Sequence, residues 1–262
     1  MRLDDIVLDG RHLEAAWWGP PPDQAPTLVL LHEGLGCVAL WRDFPERLQA
    51  ATGCGVFAWS RFGYGRSDPA RLPWPMTYMH DEALNILPRV LNKVGVQRAI
   101  SIGHSDGASI AAIHAGGTRD PHLMGIVLMA AHFFVEDLNL INIANTRIAY
   151  ETTDLRGRLA RYHRDVDNTF NGWSGAWLDP RFRSFDITAS LQAIQVPVLG
   201  LQGADDPYGS LEQLRVLECN THVATQTLVI PGARHSPHLE ARDETFSAIL
   251  DFVNKRLMEN AE

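Results

Sequence analysis

Ser101-Ile102-Gly103-His104-Ser105-Asp106-Gly107 closes an apolar run that begins at Ala99, and a stretch with helical spacing follows over residues 107–116. The run Ala99-Ile100-Ser101-Ile102 predicts a strand buried on both faces, and the residues after Gly107 predict a helix. Between them, a glycine stands two residues before Ser105 and another two residues after it. That spacing has a steric reason. A serine on a sharp strand-to-helix turn sits in a strained backbone conformation, and only small neighbours let the strand and helix pass. Such a turn raises the Ser105 hydroxyl above the sheet and sets a helix N-terminus beneath it. It also aims the backbone N–H of Asp106 at an oxyanion forming there. A tight turn with a capping serine needs the same residues and is the plain alternative.

Outward from this segment, short apolar runs alternate with longer amphipathic stretches, the pattern of a mostly parallel sheet covered by helices. Ile6-Leu8 and Leu13-Trp18 join through Asp9-Gly10, a hairpin signal that predicts an antiparallel edge. Further runs lie at Thr27-Leu31, Gly55-Trp59, Gly125-Met129, Val196-Leu201 and Thr227-Ile230. Helices are predicted over residues 40–51, 78–94, 107–116 and 240–257. Residues 132–187 break the alternation, with no convincing core strand. Within them Asp154 caps a predicted helix carrying Leu155, Leu159, Tyr162, Val166 and Phe170, which Asn171-Gly172 ends. An earlier helix would carry Leu138, Ile141 and Ile148 on one face. Residues 1–131 and 188–262 are therefore read as the core, and residues 132–187 as a small helical lid.

Composition sets outer limits. The chain has 262 residues, 45% of them hydrophobic, enough for one large core. A formal charge of −8 argues against nucleic-acid and anionic-membrane partners. Cys37, Cys54 and Cys219 are odd in number and widely spaced, which argues against a disulfide framework or a zinc site and for a reducing, cytoplasmic setting. No signal peptide or bilayer-length apolar run is visible. Cys37 reads as a small buried residue, and His32 as a hydrogen-bonded structural one.

A serine hydroxyl needs an imidazole to take its proton. Of 11 histidines, His235 stands out because it lies between the last apolar run and the final helix. A loop there shares Ser105's edge of a parallel sheet. His238, three residues on, falls near the start of that helix and is expected to face away. A carboxylate should orient the imidazole, and Leu201-Gln202-Gly203-Ala204-Asp205-Asp206-Pro207 offers two candidates.

The order Ser, Asp, His, each in a loop after a strand, resembles the α/β-hydrolase superfamily over nearly the whole chain outside residues 132–187. The resemblance implies an eight-stranded, mostly parallel sheet flanked by helices, and it implies Asp206 as the acid, three residues after Gly203. It also implies that the glycine-rich loop Ser60–Pro69 shapes the sheet edge and does no chemistry. In Leu31-His32-Glu33-Gly34-Leu35-Gly36, it implies oxyanion donors at the backbone N–H of Gly34 and Asp106. Glu33 replaces the family's usual glycine and is an alternative donor. Ionised Glu33 or Asp106 side chains facing the oxyanion would oppose catalysis, so both are expected to point elsewhere, toward Arg61 or Arg66.

The expected chemistry is acyl transfer to water from a small-molecule ester through Ser105, Asp206 and His235, with no metal or cofactor. Trp173, Trp177, Phe170 and Tyr162 would line an apolar pocket with Glu33, or else form the insertion's own core. A carbon–carbon bond hydrolase, a lactonase or a slow-turnover small-molecule receptor would use the same three side chains, and a homodimer is left open.

Overall fold

The computed structural model describes residues 1–260. Strands β1 (Arg2–Leu8) and β2 (Arg11–Trp18) form the hairpin, with Asp9 and Gly10 both at positive φ. β3 (Thr27–Leu31), β4 (Gly55–Trp59), β5 (Ala99–His104), β6 (Leu123–Met129), β7 (Val198–Gly203) and β8 (Thr225–Ile230) follow. They assemble into one eight-stranded sheet in the order β1-β2-β4-β3-β5-β6-β7-β8. β2 pairs antiparallel with both β1 and β4, and all later pairings are parallel. All five residues of β3 are buried, as its unbroken apolar run requires, and so are all six of β5.

The helices are α1 (Phe44–Thr52), α2 (Tyr78–Asp81), α3 (Leu87–Val94), α4 (Asp106–Thr118), α5 (Asp137–Thr152), α6 (Leu155–Leu159), α7 (Val166–Trp177), α8 (Thr188–Ala193), α9 (Glu212–Asn220), α10 (Pro237–Glu240) and α11 (Arg242–Glu259). A π-helical turn, Glu82–Ile86, interrupts the helix predicted over residues 78–94. Strand alternation sorts the core into two layers. Leu28, Leu30, Ile100, Ile102, Leu199 and Leu201 meet Leu48 of α1 and Ile249 and Val253 of α11. Val29, Leu31, Ile126 and Val198 face Val90, Ile110 and Leu191 on α3, α4 and α8. Each such side chain contributes about 1.5–3 kcal/mol by leaving water. Among the described residues no helix is long and apolar enough to cross a membrane.

Between β6 and β7 the chain leaves the sheet and builds α5, α6, α7 and a short 3₁₀ segment, Pro180–Ser184. The ends of this excursion are pinned together: the Ile187 N–H donates to the Phe133 carbonyl at 2.8 Å, and Phe134 bridges Asp186. Three details differ from expectation. The helix predicted from Asp154 through Phe170 is two helices, because His163 turns inward between them. Its Nδ1 accepts from the Gly65 N–H and its Nε2 donates to the Leu35 carbonyl, each at 3.0 Å. Asn171-Gly172 lies inside α7 instead of ending it. A helical glycine costs about 1 kcal/mol, and burial of Phe170, Trp173 and Trp177 outweighs that. The face of α5 is also reversed. Leu138, Ile141 and Ile148 are exposed, while Asn139, Ile143 and Tyr150 point inward. Asn139 is drawn in because its amide pairs with the Glu136 N–H and the Tyr208 carbonyl.

Candidate active site

Ser105 joins β5 to α4 with φ 52° and ψ −120°, a conformation that costs a non-glycine residue about 1–3 kcal/mol. The surroundings hold it there. Its N–H donates to the Met129 carbonyl at 2.8 Å, and its own carbonyl accepts from the N–H groups of Ala108 and Ser109 at 2.9 and 3.1 Å. A Cβ on Gly103 would come within 2.4 Å of the Gly107 carbonyl oxygen, which explains the small residues flanking the turn.

The three side chains named from the sequence are hydrogen-bonded in series. The Ser105 hydroxyl donates to His235 Nε2 at 2.9 Å, and His235 Nδ1–H donates to the Asp206 carboxylate at 2.8 and 2.9 Å. Asp206 is buried and accepts two further bonds, from the Tyr208 N–H at 2.7 Å and from Gln202 Nε2 at 2.6 Å. Burial alone would raise its pKa, but the His235 bond and charge and the Tyr208 N–H hold it below the usual carboxylate range. Asp206 remains ionised, so it keeps the His235 proton on Nδ1 and leaves Nε2 free to accept. Asp205 is exposed.

The loop carrying His235 is tied from two sides. His104 Nε2–H donates to the His235 carbonyl at 2.7 Å, and Glu240 accepts from the N–H groups of Arg234 and Ser236. His238 is buried against Trp41, Phe44 and His104, and burial first, then the neighbouring His104, push its pKa down to about 3.

The loop after β3 is positioned by the glycine-rich loop. Arg61 donates to the carbonyls of His32 at 2.5 Å and Glu33 at 3.1 Å, and its backbone N–H donates to His32 Nε2 at 3.1 Å. His32 is structural, its Nδ1–H held by the Glu33 carbonyl at 2.8 Å. Gly34 lies directly under the Trp173 indole. Neither the Gly34 nor the Asp106 backbone N–H has a protein acceptor among the described residues.

The two questioned carboxylates have other partners than Arg61 and Arg66. The Asp106 carboxylate accepts from the Tyr78 hydroxyl at 2.8 Å and from Trp177 Nε1 at 3.3 Å, and burial raises its pKa. Glu33 Oε2 lies 3.4 Å from His104 Nδ1. Local pairing decides both: the residue before the serine and the tyrosine of α2 are nearer than either arginine.

Burial alone would raise Glu33 and lower His104, but their mutual attraction reverses both, so Glu33 falls far below the carboxylate range and His104 rises above the histidine range. The lowered acid stabilises the fold above its unfolded pKa of 4.5, and this is lost as pH falls through the folded value. The raised histidine stabilises it below its unfolded pKa of 6.5, and this is lost as pH climbs through the folded value. The pair is therefore at full strength only between those limits. Thermal denaturation of Glu33→Gln should show its largest deficit against the parent at about pH 5–6, shrinking by about pH 9. A deficit independent of pH would show that the pair is not charged.

A pocket of about 110 Å³ opens over Ser105 and His235. Of the residues read from the sequence as pocket-lining, Glu33, Trp173 and Trp177 line it, and Gly34 and Asp106 stand beside them. Tyr162 and Phe170 do not line it. Tyr162 is 37% exposed in the turn after α6, and Phe170 is buried in stacking on Tyr150 at 3.7 Å, inside the insertion's own core. The break in the predicted helix rotates both away. Sequence reasoning missed Leu35, His132, Asn139, Ile143 and Tyr208, which complete the walls. Tyr208 could have been suspected from its place two residues after Asp206. His132 follows the end of β6, the same sheet edge as the other loops. Nothing local marked Asn139 or Ile143.

A family model described as the alpha/beta hydrolase family matches residues 28–248. A comparison with curated proteins gives no match. Among solved structures, an enol-lactonase from Burkholderia xenovorans is 18% identical with a TM-score of 0.76, covering 96% of this chain and 100% of its own. A carboxylesterase structure from Nitrososphaera gargenis is 17% identical with a TM-score of 0.76, covering 98% and 100%. A proline iminopeptidase from Mycobacterium smegmatis is 16% identical with a TM-score of 0.70, covering 97% and 98%. At these identities the likeness is one of fold.

Proposed function

The chain belongs to the alpha/beta hydrolase family, and from that premise we propose that it cleaves a small, hydrophobic carboxylic ester through an acyl-enzyme on Ser105. The observation that carries this reading is the hydrogen-bonded series Ser105–His235–Asp206, whose first two members line the pocket. His235 Nε2 takes the hydroxyl proton as Ser105 Oγ attacks the ester carbonyl, and Asp206 offsets the imidazolium charge. The N–H groups of Gly34 and Asp106 receive the oxyanion. His235 then protonates the leaving alcohol, and water repeats the steps on the acyl-enzyme.

The pocket volume supports a small acyl group, since ligand sites usually span about 300–1,000 Å³ and this one is about 110 Å³. We assign residues 132–187 the part of a lid, because they contribute Ile143, Trp173 and Trp177 to the lining of the pocket that holds Ser105. The unpaired Cys37, Cys54 and Cys219 support a reducing, cytoplasmic setting.

Labelling with a fluorophosphonate, read by peptide mass spectrometry, should modify Ser105 alone. Hydrolysis of p-nitrophenyl esters should then be fastest for acyl chains of about two to four carbons and fall for longer ones. Labelling at another residue would overturn the nucleophile. Labelling of Ser105 without turnover of any ester would favour a lactone or carbon–carbon substrate, or a receptor.

A further inference from the structure

His132 stands in the pocket wall beside the catalytic series. Its ring is stacked toward His235 with centroids 5.7 Å apart and planes at 22°, and it meets Trp177 edge-on at 5.1 Å. The position of its proton follows from its neighbours. The Glu136 backbone N–H, which can only donate, points at Asn139 Oδ1 at 2.5 Å. Asn139 Nδ2 is therefore the end turned toward the Tyr208 carbonyl and toward His132 Nδ1, 3.3 Å away. An amide Nδ2 can only donate, so His132 Nδ1 must offer its lone pair. The imidazole is neutral and carries its proton on Nε2. Burial first, then the nearby His235, push its pKa down to about 3, so it stays neutral near pH 7. Nε2–H meets no protein acceptor among the described residues, and it is not sealed from the pocket.

We infer that His132 determines specificity: its Nε2–H selects substrates that carry a second, neutral acceptor oxygen a few bonds from the scissile carbonyl, as in a short oxo-acyl ester. The inference rests on the serine-hydrolase reading above and narrows its substrate class. Leu35, Ile143, Trp173 and Trp177 supply apolar surface to the same pocket. A purely hydrocarbon group filling that space would displace water from Nε2–H and leave the donor stranded. A site built to hydrogen-bond a substrate oxygen rejects an analogue that lacks it for this reason. The acceptor is neutral because the His132 Nε2–H is a neutral donor, which can hydrogen-bond an oxygen but brings no positive charge to pair with a buried substrate carboxylate. The 5.7 Å separation from His235 places the oxygen close to the bond being cut.

The test compares kcat/KM for ethyl 3-oxobutyrate with that for ethyl butyrate, in the parent and in two variants. Comparing the ratio between proteins cancels the intrinsic reactivity of the two esters. In His132→Phe, the oxo-to-plain ratio should fall about 10- to 100-fold. In His132→Gln, which keeps a neutral N–H donor, much of it should return. A ratio unchanged in both variants would overturn the inference. Fluorophosphonate labelling of Ser105, run in parallel, shows that each variant retains a folded site and separates the two ideas. Parent protein that fails to label sinks the hydrolase reading itself, whereas full labelling with an unchanged ratio sinks only the role of His132.

Discussion

Replacing Ser105 with alanine should lower kcat/KM on a p-nitrophenyl ester by about 10⁴- to 10⁶-fold with little change in thermal stability. The hydroxyl bonds His235 Nε2 at 2.9 Å, and alanine keeps the Cβ that the turn already holds. What disappears is the atom that attacks. The oxyanion donors and the pocket remain, which is why a residual rate above that in water is expected. His235→Ala should fall by a similar factor, and the double variant should fall hardly further, because nucleophile and base act as one unit. Asp206→Asn should lose about 10⁴-fold, since an amide in place of the carboxylate can turn the imidazole to the wrong tautomer. Any of the single variants retaining a tenth of the parent activity would remove that residue from the mechanism. Losses for Ser105→Ala and His235→Ala that multiply in the double variant would show that the two do not act together.

The second large effect concerns the fold that presents Ser105. A methyl on Gly107 would lie 2.0 Å from the Leu31 carbonyl oxygen and 2.7 Å from that of His32. Both obstacles are backbone, so no rotamer change relieves them. α4 would have to move off β3, taking Ser105 and the Gly34 loop with it. Gly107→Ala should therefore destabilise by about 3 kcal/mol or more and lose activity in whatever protein still folds. Gly157, exposed in α6 with nothing within 4 Å of an added Cβ, is the internal comparison. Gly157→Ala should leave stability unchanged or raise it by about 0.5–1 kcal/mol. Thermal melts of the two variants side by side decide the matter. A Gly107→Ala protein that melts with the parent would show that helix and strand do not pack as closely as these distances require.

The sequence by itself determined the features whose cause is local. Strand runs such as Thr27–Leu31 announce themselves because burial on both faces demands unbroken apolar residues. The turn at Ser105 announces itself because two glycines are needed within a few residues of the strain. Ser105, the Asp205-Asp206 pair and His235 could be picked out because each stands in a loop after a strand, and such loops share one edge of a parallel sheet. Tertiary structure decided everything that depends on where a side chain points once distant segments meet. Asp206 is distinguished from Asp205 by contact with a histidine 29 residues away, and His235 reaches a serine 130 residues earlier. The inward turn of His163 broke a helix whose spacing looked continuous, and so removed Phe170 and Tyr162 from the pocket. Asn139 turned the apparently apolar stripe of α5 outward and, through its amide, set the proton on His132. Periodicity records which residues share a face, but the partner that a face will meet is chosen by packing and hydrogen bonding across the folded chain, and no local spacing encodes that choice.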